Sequence, residues 1–470
     1  MMDNHTQPKP LKTVSTEFLP GVHKPRVQTL FKHEDSPVYF ERELSFFSSV
    51  NFILNYVIGV GIFSSPGQIL EECGSVGMSV VMWCFCGVIS LMTVLPFAEL
   101  CSVVPKSGSQ YIYIHEAFKD FHPFFGHTPS FIYVWINFLF LRPVSYAIHS
   151  IISAEYVWAI IAPAVSEDFE INFGFLIKSL IGACLLEQAV EFDMGFETTT
   201  LTLEKMPFVL YTGLYAYDGA IILTGALEEI KNPDRTVLRS LIMGLGLVTA
   251  CYLLLNFTFL SALTPAELIS SKAVAQEFTD KLFGSRVAFL VSICVSLCTA
   301  GGNLSGIFYS ARLGYAAAKE GHMLQILSYI HKTRLTPTPA VIFQVILSLV
   351  FFLFGNRTQY LVNAYSFVLW LYYGLTMIAL MILRVKKPEA NRPYKVPLAI
   401  PWLVLVISWM LVFASIITRP SNTYFPAVVG ISIGIIVQYV FVFKKNRIRG
   451  LGNLMKILQK WMDVVPPTRR

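Results

Sequence analysis

Charged side chains are scarce in this chain: Asp, Glu, Lys and Arg make up 14% of 470 residues, while 54% are hydrophobic. A soluble globular domain carries about 25% charged residues. The shortfall excludes a soluble enzyme or binding module and points to an all-α polytopic membrane protein. Metal-ligand spacing is also lacking. The eight cysteines (Cys73, Cys84, Cys86, Cys101, Cys184, Cys251, Cys294 and Cys298) fall mostly inside apolar runs and read as small packing residues. A soft-metal site at Cys84/Cys86 or Cys294/Cys298 is the alternative. No P-loop, catalytic Ser/His/Asp set or metal cluster stands out, so neither enzyme chemistry nor a cofactor is expected. The net charge of +6 is too small to suggest nucleic acid. Residues 1–43 are polar, lack the apolar core of a signal peptide and read as a cytosolic tail.

What is present is a succession of apolar runs long enough to cross about 30 Å of hydrocarbon. Ten are expected to span, at residues 44–65, 76–104, 130–161, 206–227, 236–262, 286–318, 340–355, 360–383, 398–417 and 425–443. They make a membrane domain over 44–444. An amphipathic cytosolic tail follows over 445–470, its apolar Leu454, Ile457, Leu458 and Trp461 at helical spacing. Basic clusters at Lys231/Arg235/Arg239, Lys319/Lys332/Arg334, Arg384 to Lys395 and Lys444 to Arg449 fall on one side, which puts both termini in the cytosol. Residues 163–172 carry Glu167, Asp168 and Glu170 without a base and belong outside. Residues 173–190 are a poor span, 18 residues long with Lys178 and Glu187 inside. The span before them ends outside and the span after them begins outside, so they must return without a net crossing, or the first three spans are inverted. The first is the expectation.

Two spans are interrupted. In "YVIGVGIF", Tyr56 to Phe63, Gly59 and Gly61 break an apolar helix. Close helix packing would explain them alone. A second interruption, "YTGLYAYDGAIILTG" from Tyr211 to Gly225, places a carboxylate, Asp218, in mid-span. A buried Asp there is either a structural hydrogen bond to a neighbouring span or part of a functional site. Two broken spans, each opening its own half of the chain, point to a secondary transporter's binding site. Freed N–H groups at such a break can hold a carboxylate, and freed carbonyls can hold an ammonium, which suits a zwitterion such as an α-amino acid.

These residues resemble the L-type, heteromeric light-subunit branch of the amino acid–polyamine–organocation transporters. The stretches that carry the resemblance are "YVIGVGIFSSP", "ELCSVVPKSGSQYIYI", "LYAYDGA", "EEIKNPDR", "AKEGHMLQILSYIHKTRLTPTPAVIF", "YSFVLWLYYGLTMIALMILR", "NRPYKVPLAIP" and "DVVPP", covering most of the chain from about residue 41. Within the branch, "AYDG", "GHMLQILSYI" and "VVPP" are similar to the cystine and dibasic amino acid light subunit and its aromatic-preferring relative. The resemblance implies a LeuT-like inverted-repeat fold of twelve spans with discontinuous first and sixth helices. It further implies sodium-independent obligatory exchange of amino acids at the plasma membrane and a disulfide-linked heavy chain, a single-pass glycoprotein. By the same resemblance Tyr56, Val57, Ile58, Gly59, Val60 and Gly61 cradle the substrate carboxylate. Tyr215, Ala216 and Asp218 take the amino group or side chain, with Tyr215 at the gate and Asp218 favouring a cationic side chain.

Departures from the family pattern temper each expectation. Val60 replaces a serine hydroxyl, and Ala220-Ile221 replaces a Trp-Asn pair of the pocket wall. Residues 162–172 hold no cysteine for the heavy chain, so any such partner is expected to bind non-covalently. Between the outside loop at Pro163 and Met206 about one and a half helices of the usual twelve are missing by the length a span needs, and with them the family's fifth-span lysine. Three readings follow: an exchanger of neutral and, through Asp218, cationic L-amino acids; a transport-incompetent member that at most binds a heavy chain; and a channel or receptor on the same bundle.

Overall fold

Every one of the ten apolar runs is helical in the computed structural model, which describes residues 42–164, 196–334, 336–354, 358–418, 425–444 and 451–466. The order of helices is α1 Phe46–Val57, α2 Val60–Cys73, α3 Val76–Val103, α4 Gln110–Phe118, α5 Thr128–Ile136, α6 Arg142–Ala164, α7 Met206–Ala216, α8 Ile222–Gly225, α9 Pro233–Ala262, α10 Pro265–Ser270, α11 Val274–Phe283, α12 Ser285–Lys319, α13 Thr338–Phe354, α14 Thr358–Lys386, α15 Ala399–Thr418, α16 Phe425–Val437 and α17 Leu451–Trp461. Among the described residues five helices are long and apolar enough to cross a membrane, and the bent pair α1/α2 makes a sixth. Parts of α13, α15 and α16 form shorter apolar helices. The segment 173–190, expected to turn back without crossing, lies outside the described residues, as does the expected outside loop at 163–172 except Pro163 and Ala164, which end α6.

The helix surfaces explain why the chain needs a bilayer. Along α9 the buried positions mix small or polar residues, Ser240, Gly244 and Asn256, with apolar ones such as Leu241 and Val248, while Ile242, Leu247 and Leu254 are exposed. A helix with apolar residues outward and small residues inward packs on its neighbours and faces lipid. The same pattern puts Leu297 and Leu304 of α12 and Trp402, Val406, Phe413 and Ile417 of α15 on the outside.

The first broken span begins with Ser45, whose hydroxyl accepts from the Ser48 N–H at 3.3 Å and caps α1. The helix stops at Ile58 and Gly59, both extended, and α2 leaves at 49° to α1. The second broken span ends α7 at Ala216, runs through a turn and resumes briefly as α8. The breaks meet. A Cβ at Gly61 would overlap the backbone of Ala216, so only glycine lets α2 and α7 approach this closely. Gly219 sits at φ +114°, a conformation that glycine alone adopts readily, and the Tyr56 ring lies where its Cβ would be.

A buried ion pair holds the frame at one end. Glu99 on α3 is fully buried and accepts from Arg384 Nε at 2.8 Å, Arg384 Nη2 at 2.6 Å and the Val396 N–H at 2.9 Å. Removing one partner of such a pair strands the other charge, at a cost of about 3–5 kcal/mol. Glu99→Leu is therefore expected to lower the thermal midpoint in detergent sharply. Lys281→Ala, at the exposed Glu267 pair, is expected to leave it in place.

The C-terminal tail is tied to the body. β1, Ile330–His331, pairs antiparallel with β2, Val464–Val465, and Lys332 meets Asp463 at 2.7 Å beside it. On α17, Met455 and Leu458 pack against the core while Ile457 and Trp461 are exposed. The tail helix thus covers the bundle with one face and presents the other.

Candidate functional site at the two helix breaks

The meeting of the two breaks leaves a small pocket. Six residues anticipated from the sequence line it: Tyr56, Val57 and Gly61 from the first break, and Tyr215, Ala216 and Asp218 from the second. Ile58 and Gly59 form the link without lining the pocket, and Val60 opens the first turn of α2. Just beyond the break, the first N–H groups of α2 have no partner within the helix and carry its positive dipole end.

Asp218 is held from α14. Tyr365 donates to its Oδ2 at 3.0 Å and Tyr373 to its Oδ1 at 2.7 Å. An ionised carboxylate offers about four lone-pair sites, so two hydroxyls leave capacity for a further donor. Asp218 also lines a second small pocket, with Ser90, Thr93 and Tyr373. The carboxylate and its two tyrosines therefore stand between two spaces.

Three of the freed carbonyls already accept one hydrogen bond within the protein, and each keeps a second lone pair. The Tyr252 hydroxyl on α9 lies 2.6 Å from Val57 O and 2.9 Å from Ala216 O, and Cys298 Sγ on α12 donates to Ile58 O at 3.0 Å. Unwound backbone in a membrane must be satisfied by neighbours, and these two side chains do it. One hydroxyl proton spans both half-helix ends, which couples the two breaks. Tyr252→Phe removes that proton and leaves two buried carbonyls short, at about 1–3 kcal/mol for an unsatisfied group. A lower midpoint in a detergent melt is the expected outcome, with chain expression retained.

Residues from other helices complete the pocket and were not anticipated. Ser145 and His149 of α6 and Tyr365 of α14 line it. Arg142, on the same α6 face one turn earlier, is 2% exposed and donates through Nη1 to the Tyr56 hydroxyl at 2.8 Å, with its guanidinium 4.7 Å from the centre of the Tyr309 ring. No carboxylate pairs with it among the described residues, and its Nε is buried without a hydrogen bond. The reasoning that marks Asp218, a charge in mid-span, marks Arg142 equally. Tyr365 and Tyr373 carry no such signal, because tyrosine is ordinary in spans.

The amino acid permease family model matches residues 44–189 and 191–441. The chain is 33% identical to human b(0,+)-type amino acid transporter 1 over 483 positions, covering 94% of this chain and 96% of that one. It is 31% identical to the human cystine/glutamate transporter, covering 91% and 92%. It is 30% identical to large neutral amino acids transporter small subunit 2 of Mus musculus, covering 92% and 87%. The first alignment is longer than the 470 residues of this chain, so it holds gaps opposite residues this chain lacks. The family match divides at residue 190, inside the stretch where the sequence runs short of helices.

Proposed function

Because this chain belongs to the amino acid permease family, we propose that it is a sodium-independent exchanger of neutral and cationic L-amino acids in the plasma membrane. The observation that carries the reading is the pocket lined from both helix breaks with Asp218 in its wall. A zwitterion fits its polarity. The substrate carboxylate turns to the N-terminal N–H groups of α2, and the ammonium or a basic side chain turns to Asp218. Sodium independence is proposed from the resemblance to the L-type branch; the Val57 and Ile58 oxygens each accept one hydrogen bond, from Tyr252 and Cys298, and keep a second lone pair. Buried Arg142 supplies a fixed positive charge in the bundle.

The fold we propose is the LeuT-like inverted repeat, supported by two discontinuous helices in contact, with a shortened scaffold before α7. The membrane domain occupies 44–444, between cytosolic tails at 1–43 and 445–470. One relative is by name a small subunit, and a heavy chain is proposed here as a non-covalent partner, since residues 162–172 hold no cysteine. Loss of a span and a half favours a second reading, a member that binds substrate or partner without transporting. Uptake into proteoliposomes separates them: labelled leucine and lysine are expected to enter equally with sodium or choline outside, and glutamate is expected to stay out. Saturable leucine binding without entry would favour the second reading.

A further inference from the structure

Three imidazoles converge away from the helix breaks. His115 stands on α4, His127 directly precedes α5, and His322 lies on the turn after α12. One ring nitrogen from each lies within 4.8 Å of the other two, and the ring centres are 5.3 to 5.7 Å apart. His115 and His322 are each 5% exposed. Two of the rings are already oriented from behind. His322 Nδ1 meets the Tyr111 hydroxyl at 2.9 Å and His115 Nδ1 meets the Ser130 hydroxyl at 3.4 Å, which leaves Nε2 as the nitrogen each can offer. His127 Nδ1 is buried with no hydrogen-bond partner. Glu320 Oε2 lies 3.8 Å from His115 Nε2.

An orphaned buried nitrogen beside two more imidazoles is costly unless something satisfies it. A cation of borderline softness would do so, since imidazole suits zinc, whereas calcium and magnesium take oxygen ligands. Metal-bound imidazoles characteristically give their second nitrogen to a neighbouring polar group, as Tyr111 and Ser130 are placed to accept. Tetrahedral zinc with bonds of about 2.0–2.1 Å sets nitrogens about 3.4 Å apart. The three rings must close by little more than 1 Å, within reach of side-chain rotation.

We propose that His115, His127 and His322 form a zinc site that clasps the α4–α5 turn to the end of α12. The test uses the full chain in detergent with any affinity tag removed, titrated with zinc alone in excess calcium and magnesium. One zinc per chain is expected, and cobalt in its place is expected to give the strong visible absorption of tetrahedral coordination. His115→Gln and His127→Gln should each weaken zinc binding by at least the ~10–100-fold that loss of a mere outer-shell partner causes. Tyr111→Phe should cost about tenfold, and His122→Gln, on the exposed loop between the ligands, nothing. These variants avoid reliance on His322, whose replacement could disturb folding, and binding is measured on the monodisperse fraction. Absence of saturable zinc binding, or binding that survives the His115→Gln/His127→Gln pair, overturns the proposal.

Discussion

Asp218→Ala is expected to lower amino acid exchange sharply while leaving the chain folded. Truncating one partner of a buried charge pair costs about 2–5 kcal/mol, and each 1.4 kcal/mol is about tenfold. Exchange should therefore fall by about 30-fold or more. The substitution also strands the hydroxyls of Tyr365 and Tyr373, which both donate to this carboxylate. Asp218→Asn separates the two effects, because an amide oxygen still accepts from a tyrosine while the charge is gone. The amide keeps an acceptor for one of the two tyrosines, so it should restore part of the melting midpoint lost in the alanine variant and not the uptake of lysine. If lysine uptake by Asp218→Asn matched the parent, the carboxylate would not be the ammonium partner.

Gly61→Val carries the second large effect, on both stability and transport. A side chain there runs into the Cα of Ala216, a backbone atom that cannot rotate away. Overpacking of a well-filled core typically costs about 1–3 kcal/mol, and a clash with backbone belongs at the upper end. Since the overlap falls where α2 meets α7, the strain is relieved only by separating the two breaks. The variant should melt lower and lose saturable substrate binding together. Gly246→Val, on the lipid side of α9 with open space around it, provides the comparison and should leave both unchanged. Normal binding by Gly61→Val would show that the breaks need not touch.

The apolar runs were legible because length and polarity alone decide what can lie in hydrocarbon, and all ten became helices. Boundaries moved where local chemistry was at work: the first run continued past Ser65 through Pro66 to Cys73. Short helices outside hydrocarbon, such as α4 and the capped α10, left no apolar signature to find. The two breaks were also legible, since glycine and a mid-span aspartate are each unusual there. Their partners were not. Which hydroxyl reaches the Val57 and Ala216 carbonyls depends on how α9 lies against α1 and α7, and one chain's spacing says nothing of that. Arg142 was visible by the rule applied to Asp218. The three histidines lay hidden for a different reason: His115 and His127 are twelve residues apart and His322 is far along the chain, a spacing unlike any local metal motif.

The central claim is that substrate bound at the two breaks lets the carrier reorient, and that the empty carrier does so slowly. Exchange follows when bound substrate stabilises the occluded state relative to the open ones. The direct measurement is uptake of labelled leucine into proteoliposomes preloaded either with unlabelled leucine or with buffer. The account predicts strong stimulation by internal leucine and little uptake without it. Equal uptake in both, an ionic current without exchange, or saturable binding with no entry in either would contradict it.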